Sequence, residues 1–210
     1  MATRIDEESL KARLAALRSG ARSLVAIAGP PGSGKSTLAE TLESWLNERE
    51  PGRAAVLGMD GYHYDDRVLE LLDRKSRKGS PDTFDVSGLA HMLSRLKTND
   101  EWGVAVPVFD RDIEIARAAA RIIPREVEIL LIEGNYLLSG EPPWSDLASL
   151  FDLRILIEVA PPTLATRLRR RWEGYGLSEP AIRTKLDQND LPNGQYVIAH
   201  SRNPDFILRQ

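Results

Sequence analysis

Gly29-Pro-Pro-Gly-Ser-Gly-Lys-Ser36 decides how this chain is read. It follows the apolar run Ser23-Leu-Val-Ala-Ile-Ala28 and leads into Thr37-Leu-Ala-Glu-Thr-Leu-Glu-Ser-Trp-Leu46, where apolar residues recur at helical spacing. Gly, four residues, then Gly-Lys-Ser between a strand and a helix is the pattern of a phosphate-binding loop. Glycines let successive backbone N–H groups turn toward one anion. A helix starting there adds its free N–H groups and the positive end of its dipole. Lys35 brings a charge on a mobile stem, and the Ser36 hydroxyl suits magnesium as a ligand. Gly29, Pro30, Gly32, Ser33, Gly34, Lys35, Ser36 and Thr37 are therefore the expected cradle for nucleotide phosphates, with Mg²⁺ beside them.

The remainder of the chain sets bounds on that reading. Its 210 residues suit one domain, 1–210. A net charge of -3 disfavours a nucleic-acid surface. The chain has no cysteine, which excludes disulfides and thiolate metal sites and fits a cytoplasmic setting. His63, His91 and His200 have no zinc-ligand spacing, and His91 reads as a helix-surface residue. Met1-Ala-Thr-Arg-Ile-Asp-Glu-Glu8 lacks an apolar signal core, and the apolar runs are of strand length, so no membrane partner is expected. A homodimer is compatible with these bounds.

Outward from the loop, strands and helices alternate. Residues 5–19 read as an amphipathic helix and 36–49 as a second, stopped by Pro51-Gly52. Ala54–Met59 is a short strand ending at Asp60. Residues 66–76 are read as helical, Lys78–Asp85 as a loop, and Val86–Leu96 as a helix. Val104–Phe109, interrupted by Pro107, reads as an edge strand with Ile122–Pro124 beside it. Val127–Ile132 and Leu153–Val159 are continuously apolar, which implies burial on both faces as in a parallel sheet. Pro161–Glu173 and Ser178–Asp190 are expected helices, and Asp205–Leu208 a last strand. This order gives a doubly wound α/β sandwich with a mostly parallel sheet, whose ligands gather beyond the carboxyl ends of the strands.

Those ends carry the candidate chemistry. Glu133 closes the most apolar strand, where an acid holds magnesium beside a phosphate loop. Asp60 closes the neighbouring strand and could accept a hydroxyl proton, although Asp-Gly is also a common turn pair. Thr163–Trp172 carries four arginines, with Leu164, Leu168 and Trp172 forming a stripe at i, i+4 and i+8. Arginines on a flap hinged at Gly174 and Gly176 would neutralise charge on a moving phosphoryl group and exclude water. His63 lies in the Asp60 loop and could touch substrate. Thr184-Lys-Leu-Asp187 mimics a guanine-reading signature but sits in a helical stretch and is read as coincidence.

With these residues collected, the chain resembles the uridine kinase, pantothenate kinase and phosphoribulokinase class of phosphate-loop kinases. Four blocks carry the resemblance in order: 29–36, Met59-Asp-Gly-Tyr-His-Tyr64, Ser80-Pro-Asp-Thr-Phe-Asp85 and Leu131-Ile-Glu-Gly-Asn-Tyr136. Val106-Pro-Val-Phe-Asp-Arg111 is similar to a substrate loop of uridine kinases. The resemblance implies a P-loop NTPase three-layer α/β/α sandwich with a short helical lid near 163–190. It implies an ATP-dependent kinase acting on a hydroxyl of a sugar, a nucleoside or a pantothenate-like alcohol. Asp60, Lys35, Arg167 and Arg171 would be catalytic, and Ser36 and Glu133 would hold the metal. Tyr62, His63, Asp82, Phe84, Phe109, Asp110 and Arg111 would line the acceptor site. Arg111-Asp-Ile-Glu-Ile stands where uridine kinases carry a His-Ser-Arg triplet, so the resemblance does not carry uridine across as the acceptor. The alternative is a nucleotide-binding switch without an acceptor, which would need only the loop and Glu133.

Overall fold

The structure, a computed structural model, describes residues 2–17 and 20–210. The chain begins with β1 (Thr3–Ile5) and α1 (Glu7–Ala15), then β2 (Ser23–Ala28) and α2 (Lys35–Arg49). Next come β3 (Ala54–Gly58), α3 (Asp66–Leu71) and α4 (Val86–Thr98), and a hairpin of β4 (Gly103–Asp110) and β5 (Ile115–Pro124). The second half holds β6 (Ile129–Gly134), β7 (Leu153–Glu158), α5 (Pro161–Gly174), α6 (Glu179–Lys185), α7 (Leu191–His200) and β8 (Phe206–Arg209).

Six strands pair in the order β1-β8-β7-β2-β6-β3, and every pairing is parallel. All residues of β2 and β6 are buried. Their side chains alternate between two cores: Leu24, Ala26, Leu130 and Ile132 face α4 and the hairpin, whereas Val25, Ile27, Ile129 and Leu131 face α1 and α2. That double burial explains the continuous apolarity of both segments. The result is the expected three-layer α/β sandwich. No helix among the described residues is long and apolar enough to cross a membrane.

The sequence reading is corrected in four places. The N-terminal helix starts at Glu7 because Asp6 caps it, accepting from the Ser9 N–H at 2.7 Å, and Thr3–Ile5 instead extends the sheet beside β8. The third helix ends at Leu71, and Asp73 turns the chain with φ 54°. The strand at Pro107 is an edge strand in a hairpin with Ile122–Pro124, as expected, but the hairpin forms a sheet of its own and its second strand, β5, is far longer than that segment. The register slips between Val106 and Val108 around the proline that cannot donate.

The last correction bears on the site. The helix expected to stop at Asp190 continues as α7 through Pro192, by way of a π turn over Leu186–Asp190. Proline at 192 leaves the carbonyl four residues back, Gln188, without its helical donor, and the Arg77 guanidinium donates to it instead. Leu168, Ile182 and Leu186 form a separate small core between α5 and α6, with Trp172 packed on it.

Candidate active site

The phosphate loop leaves the buried end of β2 and turns directly into α2. Gly32 and Gly34 have φ of 77° and 87°, a region that favours glycine, and a Cβ on Gly32 would stand 3.0 Å from Leu168 Cγ. No side chain caps α2, and its first turn holds no acid, so its leading N–H groups are left for an anion. Ser33 Oγ is buried with no partner among the described residues. These are the properties of an anion cradle, and so the loop fits the phosphates expected of it.

Parallel register brings the acids to the loop. β6 lies between β2 and β3, with Glu133 opposite both Ile27 and Gly58. Two residues beyond Gly58, Asp60 sits in the 3₁₀ turn Met59–Tyr62. The Ser36 hydroxyl lies on the Glu133 carboxyl and favours its charged form. Burial raises the Glu133 carboxyl above its ordinary range against the pull of Lys35. Burial likewise lowers the Lys35 ammonium, while Glu133 and Asp60 counter the shift. Ser36 and Glu133 supply two adjacent hard oxygens, and among the described residues no cluster of three or more acids or histidines could hold a metal by itself. That donor set fits Mg²⁺, which takes few protein ligands and fills its shell with water and phosphate.

Asp60 is engaged from the hairpin. Arg111 Nη2 donates to Asp60 Oδ2 at 2.7 Å. Burial would raise the Asp60 carboxyl, but His63, Arg111 and Lys35 outweigh it and hold the group below the usual carboxylate range. His63 Nδ1 lies 2.8 Å from the Asp60 carbonyl, and its ring packs on Phe84 and Phe109 with centroids 4.0 Å and 4.9 Å away. Burial keeps His63 below its ordinary pKa despite Asp60.

Two cavities meet at this aspartate. One of about 270 Å³ contains Ser36 and Glu133. The other, of about 320 Å³, contains His63, Phe84, Asn135 and Arg171. Only Asp60, Phe109 and Arg111 line both. From α5, Arg167 Nη1 reaches to 3.4 Å from the Ser33 carbonyl, and Arg171, one turn on, faces the second cavity. Arg169 is committed elsewhere, to Glu179 at 2.6 Å.

Three expected acceptor residues are not brought here. Asp82 pairs with Arg74 at 2.7 Å and lines a separate cavity of about 640 Å³ with Trp144 and Tyr196, which contains neither Asp60 nor Lys35. Asp110 turns to Arg117 at 3.1 Å. Tyr62 is a core residue, 8% exposed. Sequence reasoning also missed residues that are present. Asn135 follows Glu133 within a quoted block, and its Oδ1 is buried without a partner among the described residues. Asn189 and Asn193 donate to the carbonyls of Lys78 and Gly79 at 2.8 Å and 3.2 Å, fastening the 78–80 loop to the helix that the proline had hidden.

Comparison with known proteins gives concordant results. The profile of the Phosphoribulokinase / Uridine kinase family matches residues 24–206. A solved structure titled as a putative fructose transport system kinase from Silicibacter sp. TM1040 is 37% identical, covers 97% of this chain and 98% of its own, and superposes with a TM-score of 0.88. The Schizosaccharomyces pombe protein named Putative uridine kinase C227.14 is 32% identical over 90% of this chain and 83% of its own length. The Escherichia coli protein YggC is 32% identical over 89% of this chain and 77% of its own.

Proposed function

The chain belongs to the phosphoribulokinase / uridine kinase family and is an ATP-dependent kinase of small-molecule hydroxyls, and from that premise we propose how its residues divide the work. Gly29–Thr37 cradles the donor phosphates. Lys35 and the arginines Arg167 and Arg171 face the charge that spreads over the γ-phosphoryl group in transit. Residues of about 163–190 act as a lid on a single domain, carrying those arginines and excluding water. Ser36 and Glu133 would hold Mg²⁺, which neutralises phosphate charge when bound. Tyr62, Asp82 and Asp110 play no direct part in this reading.

Asp60 is the base. Its carboxylate takes the proton of the acceptor hydroxyl as that oxygen bonds to the γ-phosphorus and the bond to the β-phosphate oxygen breaks, leaving ADP. The observation that carries this assignment is the position of Asp60 at the junction of the two cavities, the metal side on one hand and the polar pocket on the other. His63 and Phe109 shape the acceptor face, and Asn135 offers an acceptor atom to a second hydroxyl. The setting is cytoplasmic, where ATP is made and used, and no nucleic acid takes part. The division is tested with a fluorescent ATP analogue: Lys35→Met loses nucleotide affinity and Asp60→Asn retains it. Equal loss in both variants would remove Asp60 from the acceptor side.

A further inference from the structure

The side chains described so far serve the phosphate end of the donor. In the sheet order β1-β8-β7-β2-β6-β3 the phosphate loop follows β2, and both acids stand on one side of it, Glu133 near the end of β6 and Asp60 in the turn after β3. With the γ-phosphoryl group directed at Asp60, the nucleoside leaves over the other half of the sheet, where β7 and β8 end. There Glu158 and Arg209 pair, and the Gln210 N–H donates to the Glu158 carbonyl at 3.0 Å, so the ladder runs one residue past β8. From that anchor the Gln210 side chain turns onto the loop: a Cβ on Gly34 would stand 2.6 Å from Gln210 Oε1. Gly34 is the cap of α2, so the amide lies at the rim of the cradle. The Glu158 carboxylate beside it is engaged by Arg4 at 3.3 Å. The Gln210 side chain is exposed and forms no hydrogen bond among the described residues.

Building on the kinase reading, we propose that Gln210 reads the base of the donor and makes adenine the preferred one. A neutral amide adds little to the binding of phosphates, which the site leaves to Lys35 and the lid arginines, but it suits a neutral heterocycle. It offers one donor beside one acceptor, the complement of the N6–H and N7 edge of adenine. On the same edge guanine presents two acceptors, O6 and N7, so Gln210 Oε1 would face one of them with no proton between. Two contacts set the place from which the amide discriminates: the ladder bond to Glu158 and the close approach to Gly34.

The test measures binding, not turnover. The chain is titrated calorimetrically, with Mg²⁺ present, against the non-hydrolysable β,γ-imido analogues of ATP and GTP and against inorganic tripolyphosphate, which carries the phosphates without a base. The ATP analogue should bind about tenfold more tightly than the GTP analogue, the scale of one bidentate pair. Gln210→Met keeps the length of the side chain and removes both hydrogen-bonding atoms. It should weaken the ATP analogue about tenfold and abolish the preference. Tripolyphosphate affinity and the melting temperature should stay as in the parent. The proposal is overturned if the parent binds the two analogues equally, if Gln210→Met keeps the preference, or if it weakens tripolyphosphate as much as the ATP analogue. The two readings fail differently: binding of none of the three ligands counts against the phosphate cradle and the kinase, whereas binding of all three without regard to the base counts against Gln210 alone.

Discussion

Arg111 Nη2 and Asp60 Oδ2 stand 2.7 Å apart, joining the hairpin to the strand end on which the reaction is placed. With His63 and Lys35, the contact keeps Asp60 ionised in a half-buried site, so it helps set the lower pH limit of a base. Arg111→Gln removes one of the charges that lower the Asp60 carboxyl, and its pKa then rises. The base form is lost earlier as pH falls, so the acidic limb of kcat/KM should move to higher pH. The lost charge-assisted bond should cut kcat/KM about tenfold or more at neutral pH. Rate measurements across pH check this, and an unmoved acidic limb would detach Arg111 from the base.

Glu133→Gln tests the metal assignment. The amide keeps the volume but removes the charge beside Ser36. The Mg²⁺ concentration for half-maximal rate should rise by about tenfold or more, the scale seen when groups around a bound metal are changed. An unchanged Mg²⁺ dependence would place the metal elsewhere.

Gly134→Ala addresses packing directly behind the site. A Cβ there would fall 2.4 Å from Met59 Cβ, and both residues are buried within the strand ends that carry Glu133 and Asp60. Overpacking of this kind costs about 1–3 kcal/mol. For a chain of this size the melting temperature should fall by roughly 3–10 °C, read by calorimetry.

Asn193→Ala tests the tie between helix and loop. Asn193 is 3% exposed and donates to both Gly79 O and Asn189 Oδ1. Cutting it frees the loop on the acceptor side and leaves the phosphate loop untouched. The acceptor KM should rise about tenfold, corresponding to roughly 1.4 kcal/mol, with nucleotide affinity within twofold of the parent. Equal weakening of both ligands would mean that Asn193 supports the whole site.

Much of this arrangement was legible in the sequence, for physical reasons that differ by residue. The phosphate loop and Glu133 are read from local pattern, because glycine spacing and a fully buried strand leave marks in consecutive residues. Phe84, Phe109 and Arg111 were reached through resemblance to a family, and the structure sets all three around Asp60. Asp82 failed because its side chain had a nearer partner, Arg74, which no sequence period reveals. Asp85 in the same block serves as the cap of α4, accepting from Gly88 N–H at 2.8 Å. Strand β1 was hidden because its three residues, two exposed and one half-buried, carry no alternation to read. Helix α7 was hidden because Pro192 is a stop signal until a π turn and an arginine from another segment accommodate it. Asn193 was lost with it, whereas Asn189 lay inside the expected helix 178–190, where nothing in the pattern showed that it reaches the Lys78 carbonyl.

The central claim is that Asp60 activates the acceptor hydroxyl, and single-turnover transfer tests it most directly. Asp60→Asn and the parent chain are saturated with ATP, Mg²⁺ and an acceptor that the parent phosphorylates, and formation of the phosphorylated product is followed by rapid quench. The account predicts a transfer rate at least about 100-fold lower in Asp60→Asn with ATP affinity unchanged. Transfer at the parent's rate in that variant would contradict it.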